Sequence, residues 1–198
     1  MKILMVSYPR AGSHFLSYSI MSTYSVEINK KHPGFIDFDG RIINIPTLGL
    51  IRNPLDSIAS FISLQEKRFG IFSEYELEKK IMNEKESYFH SLDFIKRRVE
   101  FIVDHSGLKD IQKLTDIVGK QYNLEPSINK LDKEEFYKNI PDWQQDSSKN
   151  HPRYDYIRNV IEQDGLTEEN NLYLDLFMET GKMRDVADSK PIDWYNQK

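Results

Sequence analysis

Lys2-Ile3-Leu4-Met5-Val6-Ser7 is a continuous apolar run between polar residues, the pattern of a buried strand. It breaks at Tyr8-Pro9-Arg10-Ala11-Gly12-Ser13-His14-Phe15, where Pro and Gly mark a turn, and a helix-compatible stretch follows to about Ser22. Residues 24–29 alternate as a short strand that ends at Lys30-Lys31-His32-Pro33-Gly34. Residues 35–38 and 41–45, around Asp39-Gly40, read as a hairpin. Residues 47–51 form the next strand, read as a central one. Arg52-Asn53-Pro54 then opens a helix to about Leu64, with Pro54 in the first turn and Asp56 near the positive helix end.

Farther on, residues 73–96 carry Leu77, Ile81, Tyr88, Leu92 and Ile95 on one face of a helix. A strand over 98–103 and an amphipathic helix over 108–122 follow. From about 124 to 155 the chain turns polar, with Pro126, Pro141 and Pro152 and a little helix around 133–138. That composition suits a lid or binding loop. Leu166-Thr167-Glu168-Glu169 starts a last helix, capped by Thr167 and running to about Glu179 before Gly181. Strands alternating with helices predict a parallel sheet covered on both faces, a three-layer α/β/α domain spanning 1–198.

Composition narrows the chemistry. With 198 residues and 39% hydrophobic content, the chain suits one core. A formal net charge of −4 argues against a general nucleic-acid binder, although a local positive site is compatible with it. The chain has no cysteine, which excludes disulfides and thiol chemistry. Met1 leads straight into the first strand and no apolar run reaches membrane-spanning length, so the expectation is a cytoplasmic protein with no membrane partner. Repeats and low-complexity segments are absent, and oligomeric state is not legible.

A buried strand that turns into a helix builds an anion cradle from the N–H groups of the first helical turn and the positive end of its dipole. Arg10 adds a fixed charge there and Ser13 a hydroxyl. This is a phosphate loop without the Walker A spacing, since no Lys precedes Ser13.

Tyr8-Pro9-Arg10-Ala11-Gly12-Ser13-His14-Phe15 resembles the 5′-phosphosulfate loop of sulfotransferases, Tyr-Pro-Lys-Ser-Gly-Thr-Thr-Trp. Arg52-Asn53-Pro54-Leu55-Asp56 with Ser60 resembles the family's 3′-phosphate motif, Arg-Asn-Pro-x-Asp-x-x-x-Ser. The resemblance implies a P-loop-like fold and a transferase that uses 3′-phosphoadenosine 5′-phosphosulfate (PAPS) and releases 3′,5′-phosphoadenosine (PAP), without metal. The acceptor would be a hydroxyl or amine of a small-molecule, carbohydrate or phenolic compound.

The resemblance assigns roles residue by residue. Pro9 to Phe15 would cradle the 5′ end, with Arg10 on the bridging and leaving oxygens. Arginine keeps its charge and binds two oxygens but does not hand over a proton, so its catalysis would be electrostatic. Gly12 would let backbone approach phosphate, and Ser13 and His14 stand where the family has two Thr. Phe15 matches the Trp that packs on adenine, or is the first core residue of its helix; both readings stay open here. Arg52 and Ser60 would clamp the 3′-phosphate. The bland alternatives are a surface turn at Arg10, and a helix cap with an Arg52–Asp56 ion pair.

His32, in Lys31-His32-Pro33, resembles the family's catalytic His and suits the base near neutral pH, with His14, His105 and Glu27 as fallbacks. Asp104, between a strand and the following helix, matches a later acidic turn. The family's late Arg-Lys-Gly signature is absent; Lys149-Asn150-His151-Pro152-Arg153 stands in a comparable place, which nominates Arg153 for closing over the 3′-phosphate. Rival functions are a small-molecule kinase and a nucleotide-binding protein that has lost turnover.

Overall fold

Residues 3–6 are wholly apolar because both faces of their strand are covered by helices. Such runs belong to parallel sheets, in which neither face meets water. The computed structural model describes residues 1–32, 45–129, 131–138, 140–141 and 150–166. Residues 35–44 of the expected hairpin and the helix expected from Thr167 lie outside these.

The described elements are β1 (Lys2–Ser7), α1 (Ser13–Thr23), β2 (Glu27–Lys31), β3 (Thr47–Ile51), α2 (Pro54–Phe69) and α3 (Glu74–Arg98). Then come β4 (Phe101–Asp104), a 3-10 turn (His105–Asp110), α4 (Ile111–Gln121), α5 (Lys133–Lys138) and α6 (Tyr154–Gln163). The four strands are all parallel, in the order β2-β1-β3-β4.

Side-chain alternation splits the core in two. Leu4, Val6, Ile51 and Ile102 face α2, α3 and α6, meeting Leu55, Ile58, Ile81, Leu92 and Ile157. Ile3, Met5, Leu48, Leu50 and Val103 face α1 and α4, meeting Leu16, Ile20, Leu114 and Val118. Helices thus lie on both faces of the sheet, as expected. Between β1 and β3 the order reverses: the chain leaves β1 for β2 on one side and returns to β3 on the other. The carboxyl ends of β1 and β3 flank that switch point, the place where open α/β sheets bind ligands.

Several boundaries differ from the sequence reading. β2 starts at Glu27 because Tyr24 bridges Pro126 and the Ser25 N–H donates to Glu125 O at 2.8 Å, which takes residues 24–25 away from β1. α2 continues past Leu64 to Phe69, with Gly70 as C-cap. α3 follows its predicted apolar stripe, started by a Ser73–Glu76 capping box, but extends to Arg98, so β4 begins at Phe101. The helix expected over 108–122 divides into the 3-10 turn and α4. α6 is not legible in the sequence: Pro152 and the charged residues between Tyr154, Ile157 and Ile161 disguise the stripe that these three bury. No helix among the described residues is long and apolar enough to cross a membrane.

Candidate functional site

The loop after β1 is pinned on both sides. The Tyr8 ring is buried edge-on against Tyr88 (4.9 Å) and Phe61 (5.8 Å), and its hydroxyl donates to Glu84 Oε2 at 2.8 Å. Ala11 is buried in the opposite core cluster. Between and after these anchors the backbone enters the left-handed region twice, at Arg10 (φ 68°) and Gly12 (φ 88°). Left-handed residues in such a loop turn successive N–H groups toward one concave side, the geometry of an anion nest. Gly12 is the N-cap of α1 and supplies no side-chain cap. The first N–H groups of α1 therefore lack the side-chain acceptor that usually satisfies one of them.

Gly12 meets a second demand that the sequence did not disclose. A Cβ at this position would lie 2.6 Å from Leu108 Cδ1 and 3.3 Å from His105 Cδ2. The space expected to admit phosphate is thus, on that side, filled by the 3-10 turn. Pro9 is half-buried ahead of the turn, and Ser13 is buried at the start of α1. Phe15 is 41% exposed while Leu16 and Ile20 enter the core, which overturns the core reading of Phe15.

Arg52, on the end of the neighbouring strand, donates from Nη1 to the backbone oxygen of Arg10 at 2.9 Å. Arg10 in turn donates from Nε to Ser60 Oγ at 3.3 Å. Tyr88 holds Arg52 from below, its hydroxyl donating to the Arg52 carbonyl. Arg52, Ser60 and Arg10, drawn from both motifs, are in direct contact. The capping arrangement is present as well: Asn53 Oδ1 accepts from the Asp56 N–H at 3.4 Å, and Arg52 Nη2 lies 3.9 Å from Asp56 Oδ2. The guanidinium reaches both Arg10 O and Asp56 because it has five donors. Its Nε is buried and makes no hydrogen bond among the described residues.

Asp56 is shared with α6. Its Oδ1 accepts from Tyr154 Oη at 3.2 Å and from Arg158 Nε at 3.3 Å. Arg158 is therefore a late basic residue that shares Asp56 with Arg52, and the sequence did not single it out. Arg153 is engaged elsewhere. Its Nη1 lies 3.0 Å from the buried Glu66 Oε1 and donates to Phe72 O at 3.1 Å, and its guanidinium stacks on Tyr156. Glu66 stands six residues beyond Ser60, roughly 9 Å along α2. These contacts of Arg153 lie at that end of α2.

At the other side of the loop, His32 Nδ1 donates to the carbonyl of Ser7, the last residue of β1, at 2.7 Å. A carbonyl only accepts, so this bond puts the proton on Nδ1 and makes Nε2 the basic nitrogen. Burial lowers the His32 pKa below the ordinary 6.5, keeping the ring neutral at pH 7. Lys30 Nζ donates to His14 Nδ1. Burial, then the charges of Lys30, His32 and Arg10, hold His14 down to about 4, and burial lowers Lys30 to about 8. His14 is thus a neutral acceptor for Lys30 and a poor base near pH 7.

The remaining fallbacks separate cleanly. His105 packs against Gly12, next to the loop. Glu27 pairs with Lys2 at 3.1 Å at the opposite end of β2, since Lys2 faces Glu27 while Val6 faces Lys31. That is roughly 13 Å of strand away from the loop. Asp104 ends β4 with Oδ1 accepting from the Ser106 N–H at 2.7 Å, and burial raises its pKa. Compared with known proteins, the chain matches no family model and no curated sequence.

Proposed function

We propose that this protein is a cytoplasmic sulfotransferase that takes a sulfuryl group from PAPS to a hydroxyl or amine. One observation carries the reading: the strand-end arginines of both motifs, Arg10 and Arg52, meet with Ser60 across the switch point of the sheet. Fit to a doubly phosphorylated nucleotide is supported by the buried Arg52 Nε with its unused donor, and by the uncapped start of α1 on the same edge.

PAPS, when bound, supplies an activated sulfuryl group on its 5′-phosphate. Arg52 and Ser60 hold the 3′-phosphate. The α1 N–H groups and Arg10 face the 5′ end, where Arg10 offsets charge on the departing oxygen without giving up its proton. To do so, Arg10 exchanges its bond to Ser60 for one to the donor. His32 Nε2 accepts the acceptor's hydroxyl proton as the new oxygen–sulfur bond forms and the old one breaks, and PAP leaves with the electron pair. The Ser7 carbonyl keeps His32 in the tautomer this requires.

Thermal shift with PAP, ATP, AMP and GTP tests the donor before any acceptor is known. Selective stabilisation by PAP is expected. A preference for ATP that depends on magnesium points to a kinase instead. Tight PAP binding without transfer across a broad acceptor panel selects a nucleotide-binding protein that has lost turnover.

A further inference from the structure

α3 passes beneath both motifs and reaches each of them through a polar group. Its Tyr88 hydroxyl donates to the Arg52 carbonyl, one residue beyond Ile51, the last paired residue of β3. One helical turn earlier, Glu84 Oε2 accepts from the hydroxyl of Tyr8, the first residue after β1, at 2.8 Å. The two tyrosine rings meet edge to face with centroids 4.9 Å apart. Burial, then the Glu84 carboxylate, raises the Tyr8 pKa, so its hydroxyl keeps its proton and stays the donor. The other Glu84 oxygen, Oε1, lies 3.3 Å from Lys80 Nζ.

Gly49 sets the level of these contacts. A Cβ there would lie 3.0 Å from Ile95 Cγ2 and 3.1 Å from Val99 Cγ1, so α3 and its C-cap sit close on β3 where glycine leaves room. From Gly49 to Arg52 is roughly 10 Å of strand, and from Ile95 back to Tyr88 is roughly 10 Å of helix. Tyr88 therefore stands level with the end of β3. Leu4, Val6 and Tyr8 join the core cluster that α3 covers, which brings the end of β1 to the same helix. Phenylalanine at 8 and 88 would supply the same rings with no polar atom to desolvate. The hydroxyls add a directional attachment to each motif.

We propose that Tyr88 and Glu84 are positioning residues, which act through Arg52 and Tyr8 to hold the two motifs at the spacing of a doubly phosphorylated nucleotide. The assignment rests on the sulfotransferase reading and goes beyond it in naming what sets that spacing. Tyr88 acts on the 3′ end, and Glu84 on the 5′ end. Sites already held at the right separation bind both phosphates without first ordering the loops.

The test uses Tyr88→Phe and Tyr8→Phe, each of which keeps the ring and removes one of the two hydroxyls. Calorimetry reads PAP, adenosine 3′-phosphate and adenosine 5′-phosphate on each full-length variant. Tyr88→Phe should weaken PAP and adenosine 3′-phosphate about fivefold and leave adenosine 5′-phosphate near its wild-type affinity. Tyr8→Phe should give the opposite split, since it frees the loop that Glu84 holds. Lost packing alone would move all three ligands together. Without ligand, the buried Nε proton of Arg52 should exchange with water faster in Tyr88→Phe than in wild type, as read by NMR. The proposal is overturned by equal losses for all three ligands, by PAP affinity unchanged in both variants, or by unchanged Nε exchange. A wild type that does not bind PAP, with Nε exchange still faster in Tyr88→Phe, would sink the transfer reading and leave the positioning of the motifs standing.

Discussion

The guanidinium of Arg52 donates to the backbone carbonyl of Arg10 at 2.9 Å, joining two motifs that lie 42 residues apart. Parallel β1 and β3 are hydrogen-bonded neighbours, with Ser7 opposite Leu50, so the residues leaving their carboxyl ends emerge side by side. The contact does more than tie loops together. It aligns a fixed cation with a backbone that is turning its N–H groups toward the same edge.

Arg52→Ala removes a charge-assisted donor set and should weaken PAP by about 1.5–3 kcal/mol, or roughly 10- to 150-fold. Calorimetry on the folded variant measures this. Unchanged PAP affinity would remove Arg52 from the clamp.

The two late arginines should separate. Arg158→Ala leaves Asp56 with Arg52 and the Tyr154 hydroxyl, and a partly exposed pair of this kind is worth about 1 kcal/mol or less, so PAP affinity should fall modestly. Arg153→Ala strips the buried Glu66 carboxylate of its cation and should cost about 3 kcal/mol of stability, at the low end for one partner of a buried pair. Its PAP affinity, measured below the shifted melting point, should match wild type. A clear affinity loss in Arg153→Ala would return that residue to the nucleotide.

His32→Ala should cut kcat by 10²- to 10⁴-fold, the usual contribution of a positioned base, with PAP affinity largely kept. Because burial lowers the His32 pKa, the acid limb of the rate profile should fall below 6.5. Full activity in the variant, or a limb above 6.5, would dismiss His32 as the base.

His14 sets a pH dependence of stability. Its pKa is about 4 in the folded chain against an ordinary 6.5, so between these values the unfolded chain binds the proton more readily. The contribution is complete above pH 6.5 and drains away as pH falls toward 4. His32, lowered as well, acts in the same direction. His14→Gln keeps an acceptor for Lys30 but does not titrate. Urea unfolding at pH 7, 5.5 and 4.5 should show a shallower loss in that variant, and an equal loss would refute the assignment.

Gly12→Ala combines a left-handed backbone with a Cβ that collides with Leu108. The backbone alone costs about 1–3 kcal/mol. Leu108→Ala in the same chain should restore only the steric part, as read from urea midpoints. Full recovery would show that the φ of Gly12 is not strained for alanine.

Local physics makes some of this protein legible and hides the rest, as particular residues show. The buried stripe of α3 repeats at helical spacing, and the Ser73–Glu76 box marks its start, so that helix reads off the chain. β1 and β3 read equally well, because strands covered on both faces need no polar alternation. β2 starts later than its alternation predicts because Glu125 and Pro126, far along the chain, claim residues 24–25. Arg158 gave no signal at all, since its partner Asp56 stands 102 residues earlier.

Sequence by itself determined the apolar runs, the helix periodicities and the chemical types available at each turn, for those depend on neighbours within a few residues. Only the tertiary structure decided which strand ends adjoin, which arginine reaches Asp56, which tautomer His32 holds and what fills the space beside Gly12. Those outcomes belong to contacts between distant segments, and their energies exist only once the sheet has ordered its strands.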